Sequence, residues 1–190
     1  MTREMRWRIM TLQVVMVLVL GFCAGFLYWG SSFVSGMVHD ELVAQKISFP
    51  PASEIKTGGA LDPAEFPAEI RSYAGQQVDS GDKARVYAND FIGIHLQKVA
   101  NGQTYSQVSA ASLADPKNTA LQNQANTLFK GETLRGLLLN AYGWSQVALY
   151  AFYTAIGLTV AAIAVFATLV FEVLVAPRTV KATRPQPIPA

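Results

Sequence analysis

Two long apolar runs frame the chain, and a mixed, largely polar stretch separates them. Residues 9–29, IMTLQVVMVLVLGFCAGFLYW, hold no charged side chain. As a helix rising 1.5 Å per residue they reach about 31 Å, enough to cross the hydrocarbon of a bilayer. Residues 147–176 are again almost wholly apolar, with Glu172 their only charged group, and they exceed what a perpendicular crossing needs. Between the runs, Ala84, Tyr87, Ala88, Phe91, Ile94 and His95 recur at helical spacing, with Asp79 or Ser80 as cap and Asn101-Gly102 as stop. TYSQVSAASLAD predicts a shorter helix or a helical turn. Asp115-Pro116 predicts the start of another, which runs through ALQNQANTLFKGETLRGLLLNAYGW into the second apolar run. Residues 49–67, FPPASEIKTGGALDPAEFP, show four prolines and no period, and predict an extended strap that adds little to any core. Alternating strand patterns and internal repeats are absent. The expected fold is an all-α membrane protein with two transmembrane helices and a mainly helical extracytoplasmic domain between them.

Composition agrees with that pattern, since 51% of the residues are hydrophobic and only 15% charged. The first run is too long for a signal peptide's apolar region and lacks a small-residue cleavage site. Phe22 before Cys23 stands where a lipoprotein signal needs a small residue, so an uncleaved anchor is expected. Arg3, Arg6 and Arg8 precede the first run, and Arg178, Lys181 and Arg184 follow the second, which predicts cytoplasmic termini in a multi-pass cell-membrane protein. Trp7, Tyr28 and Trp29, then Tyr142, Trp144 and Tyr150, fall where interfacial aromatic belts would lie. The expected organisation is a basic tail 1–8, a first span 9–29, an outer domain 30–146, a second span 147–176, and a Pro-rich basic tail 177–190.

The chain offers little on which to build catalysis. His39 and His95 are the only histidines, neither in a metal-ligand spacing, and the single cysteine falls inside the first run. Gly58-Gly59 lacks the Lys-Ser/Thr of a phosphate loop. The expectation is therefore a protein that is not an enzyme, with no cofactor, no metal and no nucleic-acid partner. Small residues are the informative feature of the apolar runs: Gly21 and Gly25 form a G-x-x-x-G spacing, and Ala151 and Ala155 thin the second run, so these four are candidates for helix packing, within the chain or against another membrane protein. Glu132, Arg135 and Gly136 are candidate partner contacts, the first two spaced to pair on one helix face. Glu172, close to Arg178, is read as snorkelling or pairing with a basic side chain, ahead of an ion pathway.

At RVYANDFIGIHLQKVANGQTYSQVS and LFKGETLRGLLLNAYGW the chain resembles an uncharacterised family of actinobacterial two-span membrane proteins, over most of the outer domain and the second span. By architecture alone it is also similar to accessory subunits of actinobacterial respiratory supercomplexes. The resemblance carries no catalytic residues. It implies a non-catalytic accessory or stabilising subunit, in contact with an integral membrane complex and the lipid bilayer. A homo-oligomeric channel or transport component, and an extracytoplasmic sensor acting through a partner, are the alternatives.

Overall fold

A computed structural model of the chain describes residues 3–174, and every regular element among them is a helix. Helix α1 spans Arg3–Ala44, a 3₁₀ turn Ala52–Glu54, α2 Ala68–Ser72 and α3 Gly81–Val86. A π-helical segment, Tyr87–Gly93, passes straight into α4, Ile94–Val99. Helices α5, Tyr105–Ala114, and α6, Thr119–Leu174, complete the order. Phe33–Ala148 forms one compact unit, while the flanking stretches, up to Ser32 and from Leu149, form the other.

The flanking unit contains the apolar parts of α1 and α6. The most apolar 18-residue window of each helix has mean hydropathy 2.3, and only 6% of it is buried. A core helix of a water-soluble domain would be largely buried, so these are helices long and apolar enough to cross a membrane. Their threonines bond back to their own helices, as hydroxyls without water must: Thr11 donates to the Trp7 carbonyl at 2.9 Å, Thr154 to Tyr150 at 2.8 Å, and Thr159 to Ala155 at 2.8 Å. Leu174 ends the described part of α6, so the last two residues of the expected second span and the whole 177–190 tail lie outside the described residues.

The central unit is built around a buried cluster in which Val38 and Leu42 of α1 and Leu138 of α6 meet Ile70, Val78, Ala84, Val86 and Ala88. The expectation that residues 49–67 form a strap or loop adding little to the core is corrected, because Phe49, Leu61 and Phe66 from this stretch are all buried in that cluster. Its backbone is irregular but satisfied. Asp62 accepts from the Gly58 N–H at 2.7 Å and from Ala64 at 2.9 Å, and Phe49 N–H donates to Gln76 at 2.9 Å. Prolines and aperiodic apolar residues thus make a core-forming loop, held by turns in place of a ladder. A second cluster joins Leu96, Ala100, Val108 and Leu128.

Two helix ends also differ from expectation. The α6 start lies past Asp115-Pro116: Asp115 ends α5, and Asn118 Oδ1 accepts from Leu121 N–H at 3.1 Å as the cap. α1 does not stop near Trp29 but continues to Ala44, where Lys46 takes a left-handed φ of 53° and Gln77 Nε2 donates to the Val43 carbonyl at 3.0 Å. The same carbonyl also accepts from the Lys46 N–H at 3.1 Å, so the helix end is held by a backbone turn and a side-chain amide together.

Candidate functional site

Of the three expected partner contacts, Glu132 and Arg135 are drawn into the central unit. Arg135 Nη1 donates to Glu132 Oε2 at 3.3 Å, and its Nε and Nη2 both donate to Asn89 Oδ1, at 3.3 and 3.0 Å. The π-helical segment supplies Asn89, so this fork ties α6 to the middle of the domain. A half-exposed i,i+3 ion pair alone contributes about 0.2–0.5 kcal/mol, and the planar fork adds direction more than energy. Gly136 is exposed, and a Cβ placed there would meet nothing within 4 Å. The α6 glycine that a close approach does require is Gly131, whose Cβ would fall 2.4 Å from Leu96 Cδ2. Its small size lets Leu96 lie against the α6 backbone.

Beside Gly136, the flank of α6 is apolar and open. Leu134, Leu137 and Trp144 face a groove of about 440 Å³ that Met37, Val38 and Leu42 close from α1. Leu137 is 65% exposed and Trp144 48%. Glu41, Gln45 and Asn140 add polar groups to the lining of the groove.

Within the flanking unit, Ala155 is buried and Ala151 half-buried, whereas Gly21 and Gly25 lie exposed along a groove of about 530 Å³ between the two helices. A Cβ at either glycine would touch nothing within 4 Å, so nothing among the described residues uses their small size. Ala24 and Ser31 are the buried small residues of α1, which the G-x-x-x-G spacing did not single out. Polar groups of the same two helices meet nearer their outer ends in sequence. Gln13 Nε2 donates to Thr168 Oγ1 at 3.4 Å, and the Arg6 guanidinium donates to the main-chain carbonyl of Glu172. Among the described residues Arg6 meets residue 172 at its main-chain carbonyl and not at its carboxylate, and Arg178 lies outside them. Gln13 Oε1 and Glu172 Oε2 are both buried with no hydrogen-bond partner among the described residues.

The histidines pack. His39 Nδ1 donates to the Asp79 carbonyl at 2.8 Å, and His95 Nδ1 to Phe91 at 2.8 Å, with the His95 ring against Phe91 and Phe66. Two carboxylates of the central unit are tuned in opposite senses. The Gly58 and Ala64 N–H groups hold Asp62 below the ordinary carboxylate range, whereas burial, then nearby Glu69, push Asp90 upward against the opposing pull of Arg85. Burial also raises the Tyr87 phenol. No group of three metal-ligating side chains occurs among the described residues. No family model matches the chain, and neither a curated protein nor a solved structure matches it.

Proposed function

We propose that the protein is a non-catalytic accessory subunit of a larger membrane complex, held in the bilayer by two helices, with the central domain outside and both termini in the cytoplasm. The observation that carries this reading is the open apolar groove of the central domain, where Leu137 and Trp144 stand exposed over a core that is already complete without them. Gly21 and Gly25 support it, since a G-x-x-x-G face unused inside the chain is free for a neighbouring helix. The resemblance to respiratory accessory subunits makes an actinobacterial respiratory complex the first partner to test.

Affinity purification from membranes in mild detergent, with identification of co-purifying subunits, tests this directly. A stoichiometric integral-membrane partner is expected, and Leu137→Glu is expected to release it. A monodisperse protein without any partner overturns the reading. The topology has its own check: Ser106→Cys is expected to react with an impermeant thiol reagent in intact cells, and Thr183→Cys only after lysis. A homo-oligomeric channel is the competing reading, favoured by the buried, unpartnered oxygens of Gln13 and Glu172. Ion flux through reconstituted liposomes, abolished by Glu172→Gln, would establish it in place of the first.

A further inference from the structure

A second hollow of the central domain, about 430 Å³, opens beside the Asn89–Arg135 fork. That volume lies in the ordinary range for small-molecule sites, roughly 300–1,000 Å³. Its lining is the reverse of the apolar groove. Asn89, Gln97, Gln103, Tyr105, Glu132 and Arg135 surround it, contributed by the π-helical segment, α4, the turn through Asn101 and Gly102, the start of α5, and α6. The turn is sharp: Asn101 and Gly102 both take left-handed φ, 51° and 76°, and so bring Gln103 and Tyr105 back over α4.

Charge narrows what the hollow can hold. Its acid and base are one of each, Glu132 and Arg135, and they already pair with each other at 3.3 Å. Neither a free anion nor a free cation gains a net attraction there. A hydrocarbon tail would leave the amides of Asn89, Gln97 and Gln103 without partners. What remains unspent is the amide edge. Among the described residues Asn89 Nδ2 has no partner, its Oδ1 being used by Arg135, and the side chains of Gln97 and Gln103 make no hydrogen bond. Amides donate and accept at once, as do hydroxyl groups, so such edges match neighbouring hydroxyls on a ring. Tyr105, partly exposed at the rim and resting on Phe129 with centroids 5.8 Å apart, offers a fixed aromatic face and a phenol. Thr104 and Gln107 bind reciprocally as a capping box, which fixes the backbone from which Tyr105 projects.

We propose that this hollow binds a neutral polyhydroxylated ligand, a short saccharide. The amide edges of Asn89, Gln97 and Gln103 read its hydroxyls, and Tyr105 covers its apolar ring face. The π-helical turn holds Asn89 at the floor through Arg135.

The test uses the full chain in lipid nanodiscs, because sugar-headed detergents would compete for the site. Binding of maltotriose, cellotriose and chitotriose, and of inorganic phosphate as the anionic probe, is followed by saturation-transfer NMR and calorimetry. The comparison protein is Gln97→Ala with Gln103→Ala, two exposed positions without side-chain bonds in the chain, checked for unchanged circular dichroism. Saturable binding of at least one trisaccharide is expected, weakened about tenfold or more in the double variant. No saturable sugar binding, equal binding by both proteins, or binding of phosphate in place of sugars overturns the proposal. Partner co-purification is expected to be the same for both proteins, so this site and the subunit reading fail independently.

Discussion

The same two helices serve two different kinds of surroundings. In the central unit, α1 and α6 give Val38, Leu42, Leu128 and Leu138 to buried clusters, and even the proline-rich loop sends large side chains inward. In the flanking unit the buried residues of the described chain are small, Ala24, Ser31 and Ala155, and the large apolar side chains point outward. Water drives apolar surface together, so a domain in water must bury its leucines. Lipid tails are as apolar as leucine, so helices that cross a bilayer gain instead by close backbone approach and by polar bonds, and the bond of Gln13 to Thr168 is of that kind.

Removing a large side chain from each region puts the contrast to its strongest test. Leu61 is fully buried, and Leu61→Ala is expected to cost about 2–5 kcal/mol in denaturant unfolding of the central unit. Leu18 is 66% exposed, and Leu18→Ala is expected to change stability by less than about 0.5 kcal/mol. Equal losses would erase the distinction between the two units.

Glycines sharpen it next. Gly136→Pro breaks the interior of α6 at a cost of about 3 kcal/mol or more, and is expected to leave insertion intact but abolish partner co-purification. Gly131→Ala drives a methyl into Leu96 and is expected to cost about 1–3 kcal/mol. Gly136→Ala meets open space and is expected to gain about 0.4–1 kcal/mol while retaining the partner. Equal retention by the proline and alanine variants would show that an unbroken α6 is not needed for docking.

The smallest effects are in pH dependence, confined to the central unit. Asp90 has a folded pKa above its unfolded value, so its charge weakens the native state at neutral pH. That penalty is relieved as pH falls through the raised value, because the native state takes up the proton first. Asp90→Asn is expected to raise the thermal midpoint slightly at pH 7 and to leave it unchanged at strongly acid pH. Asp62 has the opposite sign: its contribution is present above the unfolded pKa and is lost as pH falls through the lowered folded one. Asp62→Asn is expected to lower the midpoint at pH 7 and to flatten the acid limb. Differential scanning calorimetry between pH 3 and 8 distinguishes the two, roughly spanning the carboxylate range.

The sequence made the apolar runs, the all-helical class and the α5 helix legible, because length, hydropathy and the Thr104-x-x-Gln107 signature are local signals. The extension of α1 was also written there. Val34, Val38 and Leu42 repeat every four residues beyond Trp29, but Gly30, Gly36 and three serines obscure the repeat, and its end falls on a left-handed lysine where glycine would be the usual sign. The core role of Phe49, Leu61 and Phe66 was not legible, since an aperiodic loop has no face until the tertiary structure supplies one. The polar hollow was equally hidden, because its residues come from positions 89 to 135 and only Glu132 and Arg135 among them share a recognisable spacing. Glu132 and Arg135 were visible as a pair, but not the Asn89 that receives them.

The π-helical segment has a consequence for register. Ala84, Ala88, Leu96 and Ala100 are all buried, and Ile92 between them packs against both core clusters. These five positions are four residues apart, whereas an α-helix turns once in 3.6, so each step overshoots by about 40°. Over the four steps an unbroken α-helix would drift by about 160° and carry Ala100 to the opposite side. The wider turn of Tyr87–Gly93 absorbs that drift, like a vernier that brings a four-residue scale back into line with a helical one. If the segment took ordinary α geometry with its length unchanged, Leu96 and Ala100 would rotate out of the second cluster, whereas deleting one residue with it would keep them facing inward. The two cores of the domain are thus kept in phase by a single change of pitch.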